Sequence, residues 1–542
     1  MAGDPVWRTT PPPQPHLTMR LQCDILIVGS GAGGGVLAAT LAELTHRTII
    51  LVDKGPHYTA DFFNQREWDM GVLYAERGAR STTDGAIPVR GGECVGGGTT
   101  VNYALAMNPV QAVWTRWRLE RGLTGFSFEA DACDYGIPGL NMSACLAEVR
   151  ARTGVAAPPE SAINDNNRVL ERGCRAHGIS TKRFELNMRD CLGCGFCAEG
   201  CAYDRKQGTL ITYVPDAVSH GVRLIHHCDI HRLTFARRPG GLAVTGATGR
   251  VRPTSTGSRP NTVDAGNVDI VAPLVVVCAG AIETPVLLQR SGHPDPGSLL
   301  GRGLILHPGL PIVGVMDAPL TNYRGITGTI YSDHFFETHG FYYECLFGHP
   351  VYGSLVLPLI GAEHFDLMRQ FDRIAGFGVM LVDSPQPINR VAWHAPTGTR
   401  RIMYHLSDTD RDRLRFAART GVEIMFAAGA REVLLSSTES IGPLSSPRFR
   451  TPAEAAHCAA LAFGPHQTTV TSSHCQATVK MGEDPKRSMI DSRGESHYVR
   501  NLLVCDSSAF PDSCGANPML SIMTMARYQG RRIAGELARY ER

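Results

Sequence analysis

The sequence lacks the long apolar run that a membrane-spanning helix requires. Its most apolar stretch, residues 25–42, is interrupted by five glycines and a serine, whereas a span needs about 20 predominantly apolar residues. An excess of one charge is also missing, because the formal net charge of the 542 residues is +2. A strongly charged surface of the kind that binds nucleic acids is therefore excluded. We expect neither a transmembrane segment nor a nucleic-acid partner.

The N-terminal residues lack an export signal. Residues 1–20 are rich in proline and polar side chains, and they show neither a twin arginine nor a basic stretch followed by an apolar run. This pattern predicts a flexible leader and a cytoplasmic protein, although export with a partner that carries its own signal stays open. Structural disulfides are not expected despite 16 cysteines, because the chain is large and has no signal peptide.

A strand, a glycine loop, a helix and an acid follow one another near the N-terminus. Residues 23–28 are largely apolar, which predicts a buried parallel strand. Gly29, Gly31 and Gly34 then form G-x-G-x-x-G, which permits a tight turn, a backbone approach to a pyrophosphate and close packing of the helix on the strand. A helix and a second strand lead to Asp53, about 20 residues farther on, where a carboxylate accepts hydrogen bonds from an adenosine ribose.

Three further segments also have patterns that are typical of a dinucleotide-binding domain. Residues 90–102 form a second glycine loop, whose glycines would let the backbone lie against a flat ring or a diphosphate. Residues 275–292 predict a strand, a turn and the start of a helix. Residues 501–505 predict a last strand that ends in Asp506. The G-x-G-x-x-G motif alone does not distinguish an FAD-binding protein from an NAD-binding protein. The choice between the two cofactors therefore depends on these three segments.

In this order the motifs resemble those of the glucose–methanol–choline (GMC) oxidoreductases. The resemblance includes the loop around Asn102, the Gly-Ala-Ile-x-Thr-Pro stretch from Gly280 and the block at residues 472–482. It implies FAD and the oxidation of an alcohol by hydride transfer to flavin N5. It also implies an α/β fold (α+β overall), with a discontinuous Rossmann-type FAD-binding domain and an interleaved antiparallel-sheet substrate domain. The cofactor-binding residues that it implies are Gly29, Gly31, Gly34, Asp53, Gly97, Thr99, Asn102, Ile230, Asp506, Pro518 and Met519.

The dispersed motifs also predict how the chain is divided. The FAD-binding domain is expected to comprise residues 21–110, 200–310 and 468–542. The substrate domain is expected to comprise residues 111–199 and 311–467, with a cysteine-rich insert at about 190–202. The substrate domain contains many aromatic residues, which would line an apolar pocket or build one face of a sheet.

Two positions depart from the family pattern. Asp53 stands where the family usually has glutamate, and a shorter carboxylate can still hold the ribose. Some members attach FAD covalently through a histidine in the second glycine loop. Val101 occupies the corresponding position here, which predicts FAD bound without a covalent link.

The resemblance assigns a catalytic pair, His474 and Asn517. Residues 472–482 resemble the family's His-x-x-Gly-Thr-x-x-Met-Gly block, with Ala477 in place of glycine. A histidine suits the role of general base, and an adjacent asparagine can hold the substrate oxygen. Asn517 and Pro518 also have the pattern of a helix start, and the N-terminus of that helix would stabilise an anionic reduced flavin.

Four cysteines, Cys191, Cys194, Cys197 and Cys201, have the spacing of a ferredoxin run, C-x₂-C-x₂-C-x₃-C, although Ala202 replaces the usual proline. This spacing favours an iron–sulfur cluster, 3Fe-4S or 4Fe-4S, over a zinc site or plain thiols. Similar cysteine-rich inserts occur in long-chain alcohol oxidases and in iron–sulfur-containing FAD sugar dehydrogenases.

Three functions are therefore open. The first is an FAD alcohol dehydrogenase that passes electrons through a cluster to an external protein or quinone. The second is an alcohol oxidase that uses O₂ and has a structural cysteine loop. The third is a flavin and iron–sulfur electron-transfer subunit, against which a catalytic base argues. The substrate class also stays open among fatty alcohols, sterols, sugars and aromatic alcohols.

Overall fold

The computed structural model describes residues 18–320 and 322–541. Of the predicted leader, only residues 18–20 are described, and they begin a strand; the rest lies outside the described residues. Within these ranges, no helix combines the length and the apolar character needed to cross a membrane.

The strands, in chain order, are β1 Thr18–Gln22, β2 Ile25–Val28, β3 Ile49–Val52, β4 Val155–Ala156, β5 Lys182–Arg183, β6 Leu186–Asn187, β7 Arg223–Ile225, β8 Cys228–Arg238, β9 Gly241–Val251, β10 Gly266–Val271, β11 Leu274–Val277, β12 Gly309–Met316, β13 Ile330–Ser332, β14 Phe341–Glu344, β15 Ile374–Leu381, β16 Arg390–His394, β17 Thr399–Met403, β18 Ala430–Leu435, β19 Arg448–Phe449 and β20 Leu502–Val504. The α-helices are α1 Gly34–Leu44, α2 Gly98–Val101, α3 Gln111–Arg121, α4 Met142–Thr153, α5 Asp165–Ala176, α6 Tyr213–Ser219, α7 Gly280–Arg290, α8 Phe336–His339, α9 Pro350–Val356, α10 Ala362–Met368, α11 Asp408–Ala427 and α12 Met519–Gly535.

A five-stranded parallel sheet has the order β20-β11-β2-β3-β7. Its inner strands are almost wholly aliphatic and buried, as parallel strands covered on both faces must be. Helices α6 and α12 pack on α1, which follows the first glycine loop. The carboxyl ends of the strands meet at one edge, where ligands of this type of sheet bind. The predicted strands around residues 23–28, 275–277 and 501–505 are confirmed.

A second, seven-stranded sheet is antiparallel, with the order β19-β18-β12-β15-β14-β13-β5. The long helix α11 packs across β12, β15 and β18 and buries one face of this sheet. A four-stranded sheet, β1-β10-β9-β8, adjoins the parallel one. The predicted fold class, a Rossmann-type sheet together with an interleaved antiparallel sheet, is confirmed.

Two large hydrophobic cores correspond to the two main sheets. The first surrounds the parallel sheet and includes Trp114 and Trp117 of α3. The second lies between the antiparallel sheet and the helices α5 and α11. Helix α3 therefore packs with the parallel sheet, although the sequence assigns it to the substrate domain. The domain boundaries stay a prediction.

Candidate active site

One cavity of about 950 Å³ extends from the carboxyl edge of the parallel sheet to the antiparallel sheet. His474 and Asn517 line it, and so does every predicted cofactor-binding residue except Gly34. Residues that are more than 400 positions apart in the chain therefore converge on one space, because the glycine loops and the C-terminal segment meet at the same sheet edge.

The first glycine loop is fixed by Ser30 and Asp53. One oxygen of the Asp53 carboxylate accepts hydrogen bonds from the Ser30 hydroxyl (2.5 Å) and the Ser30 amide (3.0 Å), and the other accepts one from the Gly55 amide (2.8 Å). Burial raises the pKa of Asp53 to about 6. Gly34 has the packing role that the motif predicts, since a Cβ there would lie 1.8 Å from the Gly29 carbonyl oxygen.

The second glycine loop is tied to the first. The Gly96 amide donates to the Ser30 hydroxyl at 3.0 Å, and the Thr99 hydroxyl donates back to the Gly96 carbonyl at 2.7 Å. At the end of α2, the side-chain nitrogen of Asn102 lies 3.0 Å from the Met519 sulfur and so connects the loop to the start of α12.

The space between the two glycine loops suits a dinucleotide. A Cβ on Gly31 would meet only the Gly97 Cα, at 3.8 Å, and a Cβ on Gly98 would meet nothing within 4 Å. These glycines are therefore not required for packing within the protein, and their open faces border the cavity. An FAD pyrophosphate needs this kind of close, side-chain-free backbone.

Asp506 holds the loop that follows β11. Its carboxylate accepts hydrogen bonds from the Gly280 amide (2.9 Å), the Thr284 hydroxyl (2.6 Å) and the Ser508 amide (2.7 Å). Ile230, at the start of β8, contributes an apolar side chain to the same cavity. Asp506 therefore shapes the cavity wall through its protein contacts.

His474 is held by its neighbours in the C-terminal segment. Gln476 donates to the His474 carbonyl at 3.1 Å, and its side-chain nitrogen lies 3.2 Å from His307 Nε2. The rings of His307 and His474 are nearly perpendicular, with centroids 5.5 Å apart. His474 is half-buried and lines the cavity, and desolvation by burial lowers the pKa of its imidazole to about 4. A neutral imidazole is the form that can accept a proton.

Asn517 is buried at the same cavity wall, directly before α12. Its side chain does not cap the helix, because Pro518 and not Asn517 occupies the N-cap position. The carboxamide faces the cavity, and its Oδ1 finds no hydrogen-bond partner among the described residues.

The backbone conformation at Ala477 explains why the family motif has glycine at this position. Its φ is 68°, in the left-handed region that favours glycine, and its amide donates to the Ser507 carbonyl at 3.0 Å. Glycine suits this position because it adopts such a backbone without strain. Alanine keeps the same conformation here at an energetic cost.

Two polar residues of the cavity were not assigned from the sequence. His307 is buried beside His474, and the pKa of its imidazole is lowered, first by burial and then by His474. Glu344 is buried at the end of β14. A single acid after the aromatic run Phe341–Tyr343 is the one sequence signal that points to it, since an acid inside an apolar strand is costly without a function.

The structure gives no support to the iron–sulfur site that the cysteine spacing predicts. Among the described residues, which include all four, no group of three or more metal-ligating side chains is placed to hold a metal ion. Three of the sulfurs accept hydrogen bonds from separate donors: the Gly193 amide to Cys191 (3.4 Å), the Thr327 hydroxyl to Cys197 (3.8 Å) and the Arg205 amide to Cys201 (3.2 Å). Burial raises the pKa of the Cys197 thiol to about 12. The residues present do not fit a cluster.

The cysteine loop has a structural connection to the cavity. The buried Lys206 ammonium donates to the carbonyl groups of Thr100 (2.7 Å), Asn102 (2.8 Å) and Cys197 (2.5 Å). It therefore joins the cysteine loop to the second glycine loop. Ala198 lines the cavity directly.

We expect a double substitution, Cys194→Ser with Cys201→Ser, to leave flavin content and turnover unchanged to within about twofold, as is usual for substitutions away from a site. Metal analysis of the wild-type holoenzyme should find much less than one iron atom per chain. The contrary result would be stoichiometric iron in the wild type, with a broad absorbance beneath the flavin bands. If the double variant lost both this absorbance and turnover, the cluster hypothesis would be supported.

Two family models, both described as GMC oxidoreductase, match residues 70–309 and 385–526. An uncharacterized GMC-type oxidoreductase of Mycobacterium tuberculosis is 31% identical over 514 residues, which cover 93% of this chain and 75% of that protein. The chain belongs to the GMC oxidoreductase family. The resemblance seen in the sequence is confirmed, and the protein is an oxidoreductase that acts on CH–OH donors and uses FAD.

Other GMC oxidoreductases similar to this one carry more specific names. Long-chain-alcohol oxidase FAO1 of Arabidopsis thaliana is 26% identical over 535 residues, which cover 95% of this chain and 67% of that protein. Among solved structures, pyridoxine 4-oxidase from Mesorbium loti superposes with a TM-score of 0.65 and 17% identity, covering 94% of this chain and 99% of that one. A formate oxidase gives a TM-score of 0.62 at 15% identity, covering 96% of this chain and 100% of that one. Such low identities support the GMC fold alone.

Proposed function

We propose that the protein is an FAD-dependent oxidase of primary alcohols with an apolar chain. The observation that carries the proposal is the continuous cavity that joins the glycine loops and the pair His474 and Asn517 to an apolar wall. That wall comes from the antiparallel sheet and the segment around α9, and its side chains are Leu310, Ile312, Val313, Leu346, Phe347, Val356, Leu357, Phe371, Ile374, Phe377, Val379 and Met380. An aliphatic chain suits such a surface.

The side chains have separate tasks in the proposed reaction. Neutral His474 accepts the proton of the substrate hydroxyl, and Asn517 binds the substrate oxygen so that the carbinol carbon is held in position. Bound FAD supplies the acceptor for the hydride from that carbon, so the alcohol becomes an aldehyde. Gln476 keeps His474 in place through the His474 carbonyl. Loss of one proton and one hydride balances the two-electron oxidation.

Oxygen is the electron acceptor that we propose. The cysteine loop does not fit a cluster, so nothing in our scheme passes electrons through it. The long-chain-alcohol oxidases among the relatives support the same choice of acceptor. Electron transfer to an external protein or quinone is the alternative.

The proposal is tested by incubating the holoenzyme with decanol, glucose, cholesterol and benzyl alcohol in air. We expect stoichiometric aldehyde and hydrogen peroxide, with kcat/KM highest for decanol. Preference for glucose would contradict the apolar substrate class. Aldehyde formed only when an artificial acceptor is added would contradict the use of oxygen.

Turnover should stay high well below the pH at which histidine usually titrates. The pKa of His474 is lowered from 6.5 to about 4 because the group is buried. A base works in its neutral form, which is the main form above the pKa, so turnover should fall only below about pH 4. A pH profile of kcat checks this, with flavin absorbance recorded at each pH to exclude loss of FAD. An acid limb near 6.5 would show that His474 titrates as an exposed histidine.

A further inference from the structure

Glu344 is a buried acid that the proposed mechanism does not use. It ends β14, an interior strand of the antiparallel sheet between β13 and β15, and only 4% of its surface is exposed. Its side chain lines the same cavity as His474 and Asn517. A carboxyl group at such a position is costly unless it has a partner.

Its partner is the catalytic asparagine. The Asn517 side chain contacts the Glu344 carboxyl group and lowers its pKa, against the larger effect of burial, and both residues line the cavity. A contact that lowers the pKa of an acid favours its charged form, so the part of Asn517 that faces the carboxyl group is the side-chain nitrogen, the donor of the carboxamide. The Asn517 Oδ1 has no partner among the described residues. Glu344 Oε1 also lacks a partner there. Two unpaired polar atoms therefore remain beside the pair at the cavity wall, where a substrate oxygen would bind.

We propose that Glu344 is a positioning residue for alcohol oxidation, which acts by fixing the orientation of the Asn517 carboxamide. The contact directs one N–H of Asn517 toward Glu344. The amide edge that carries Oδ1 and the second N–H is then left for the substrate oxygen. Without Glu344 the carboxamide can rotate, and the substrate carbon loses its fixed position relative to His474. This inference rests on the proposed function.

The ionisation of Glu344 adds a pH dependence. Burial raises the pKa of its carboxyl group to about 8, so the group is neutral at pH 7. The titratable groups that interact with it electrostatically are Tyr331 on β13 and Tyr342 on β14, whose pKa values are also raised, so both stay neutral near pH 8. Above about pH 8, Glu344 places a negative charge beside a developing alkoxide, and turnover should fall.

The first test is a double-mutant cycle with decanol on the flavin-loaded enzyme. We expect Glu344→Leu to lower kcat by about 10- to 100-fold with little change in KM, as misplacement of a reacting group does. In an Asn517→Ala background the same substitution should have almost no further effect, because Glu344 acts through Asn517. Equal losses in both backgrounds would overturn the proposal.

Glu344→Gln is the conservative variant, and Glu337→Leu, at an exposed position on α8, is the control for the leucine substitution. The glutamine side chain retains an acceptor for Asn517, so Glu344→Gln should recover most of the turnover and lose the decline near pH 8. Loss of activity as severe as in Glu344→Leu would overturn the positioning role. Flavin absorbance and Tm show whether each variant is folded.

An infrared measurement tests the contact without turnover. A protonated carboxyl group gives a C=O stretching band, which should titrate near pH 8, disappear in Glu344→Gln and shift in Asn517→Ala. A band that does not respond to Asn517→Ala would overturn the contact itself. If the band behaves as expected but no alcohol is oxidised, the proposed function fails and the Glu344–Asn517 pair stands as a structural feature only.

Discussion

Substitution of His474 by alanine should lower kcat for alcohol oxidation by about 10²- to 10⁴-fold, the usual contribution of a positioned base. The imidazole is neutral and opens to the cavity, so its removal leaves the substrate hydroxyl without a proton acceptor. FAD should remain bound, because the glycine loops do not depend on this side chain. Steady-state kinetics with decanol, together with the flavin absorbance of the purified variant, measure both effects.

The matched control is His46→Ala, since His46 is exposed at the surface. It should keep turnover within about twofold. If His474→Ala retains near-normal turnover with full flavin content, the base is another residue. His307 would then be the next to test, because its ring lies 5.5 Å from that of His474.

Substitution of Gly31 by valine should weaken FAD binding strongly without unfolding the protein. A Cβ at Gly31 meets no protein atom closer than 3.8 Å, so the fold tolerates it, while the side chain enters the space assigned to the pyrophosphate. Overpacking of about 1–3 kcal/mol corresponds to an affinity roughly 5- to 150-fold weaker. Titration of the apoprotein with FAD measures the affinity, and circular dichroism monitors the fold.

Gly34→Ala provides the contrast, because its Cβ would lie 1.8 Å from the Gly29 carbonyl oxygen. It should destabilise the apoprotein itself and lower its Tm. If Gly31→Val binds FAD as tightly as the wild type, the cofactor does not lie against this loop. If both variants unfold to the same extent, a side chain at position 31 disturbs the fold as much as one at position 34. The prediction that Gly31 has open space beside it would then be wrong.

The sequence predicts the parallel sheet well because its signals are local. The aliphatic strands, the glycines that follow β2 and the acid after β3 are adjacent in the chain, and each follows from elementary packing and turn chemistry. The position of Ala477 could be recognised only through the family motif. Its positive φ then supplies the physical reason for the family's glycine.

Two features of the site could not be predicted because they depend on contacts distant in sequence. Glu344 reaches Asn517 only because β14 and the start of α12 meet at the cavity. The cysteine spacing predicts a cluster, yet spacing does not determine where the sulfurs point. Cys197 is buried against Thr327, and Lys206 anchors the loop to α2. Among the described residues, no group of three or more ligands is placed to hold a metal ion.

The central claim is that an alcohol reduces FAD in this cavity, and anaerobic mixing of the holoenzyme with decanol tests it most directly. We expect the flavin absorbance to bleach in one turnover with about one decanal formed per flavin, and His474→Ala to bleach far more slowly. The contrary result would be a flavin that dithionite bleaches but that none of the four alcohols, decanol, glucose, cholesterol and benzyl alcohol, reduces. That result would contradict the claim that an alcohol reduces FAD in this cavity.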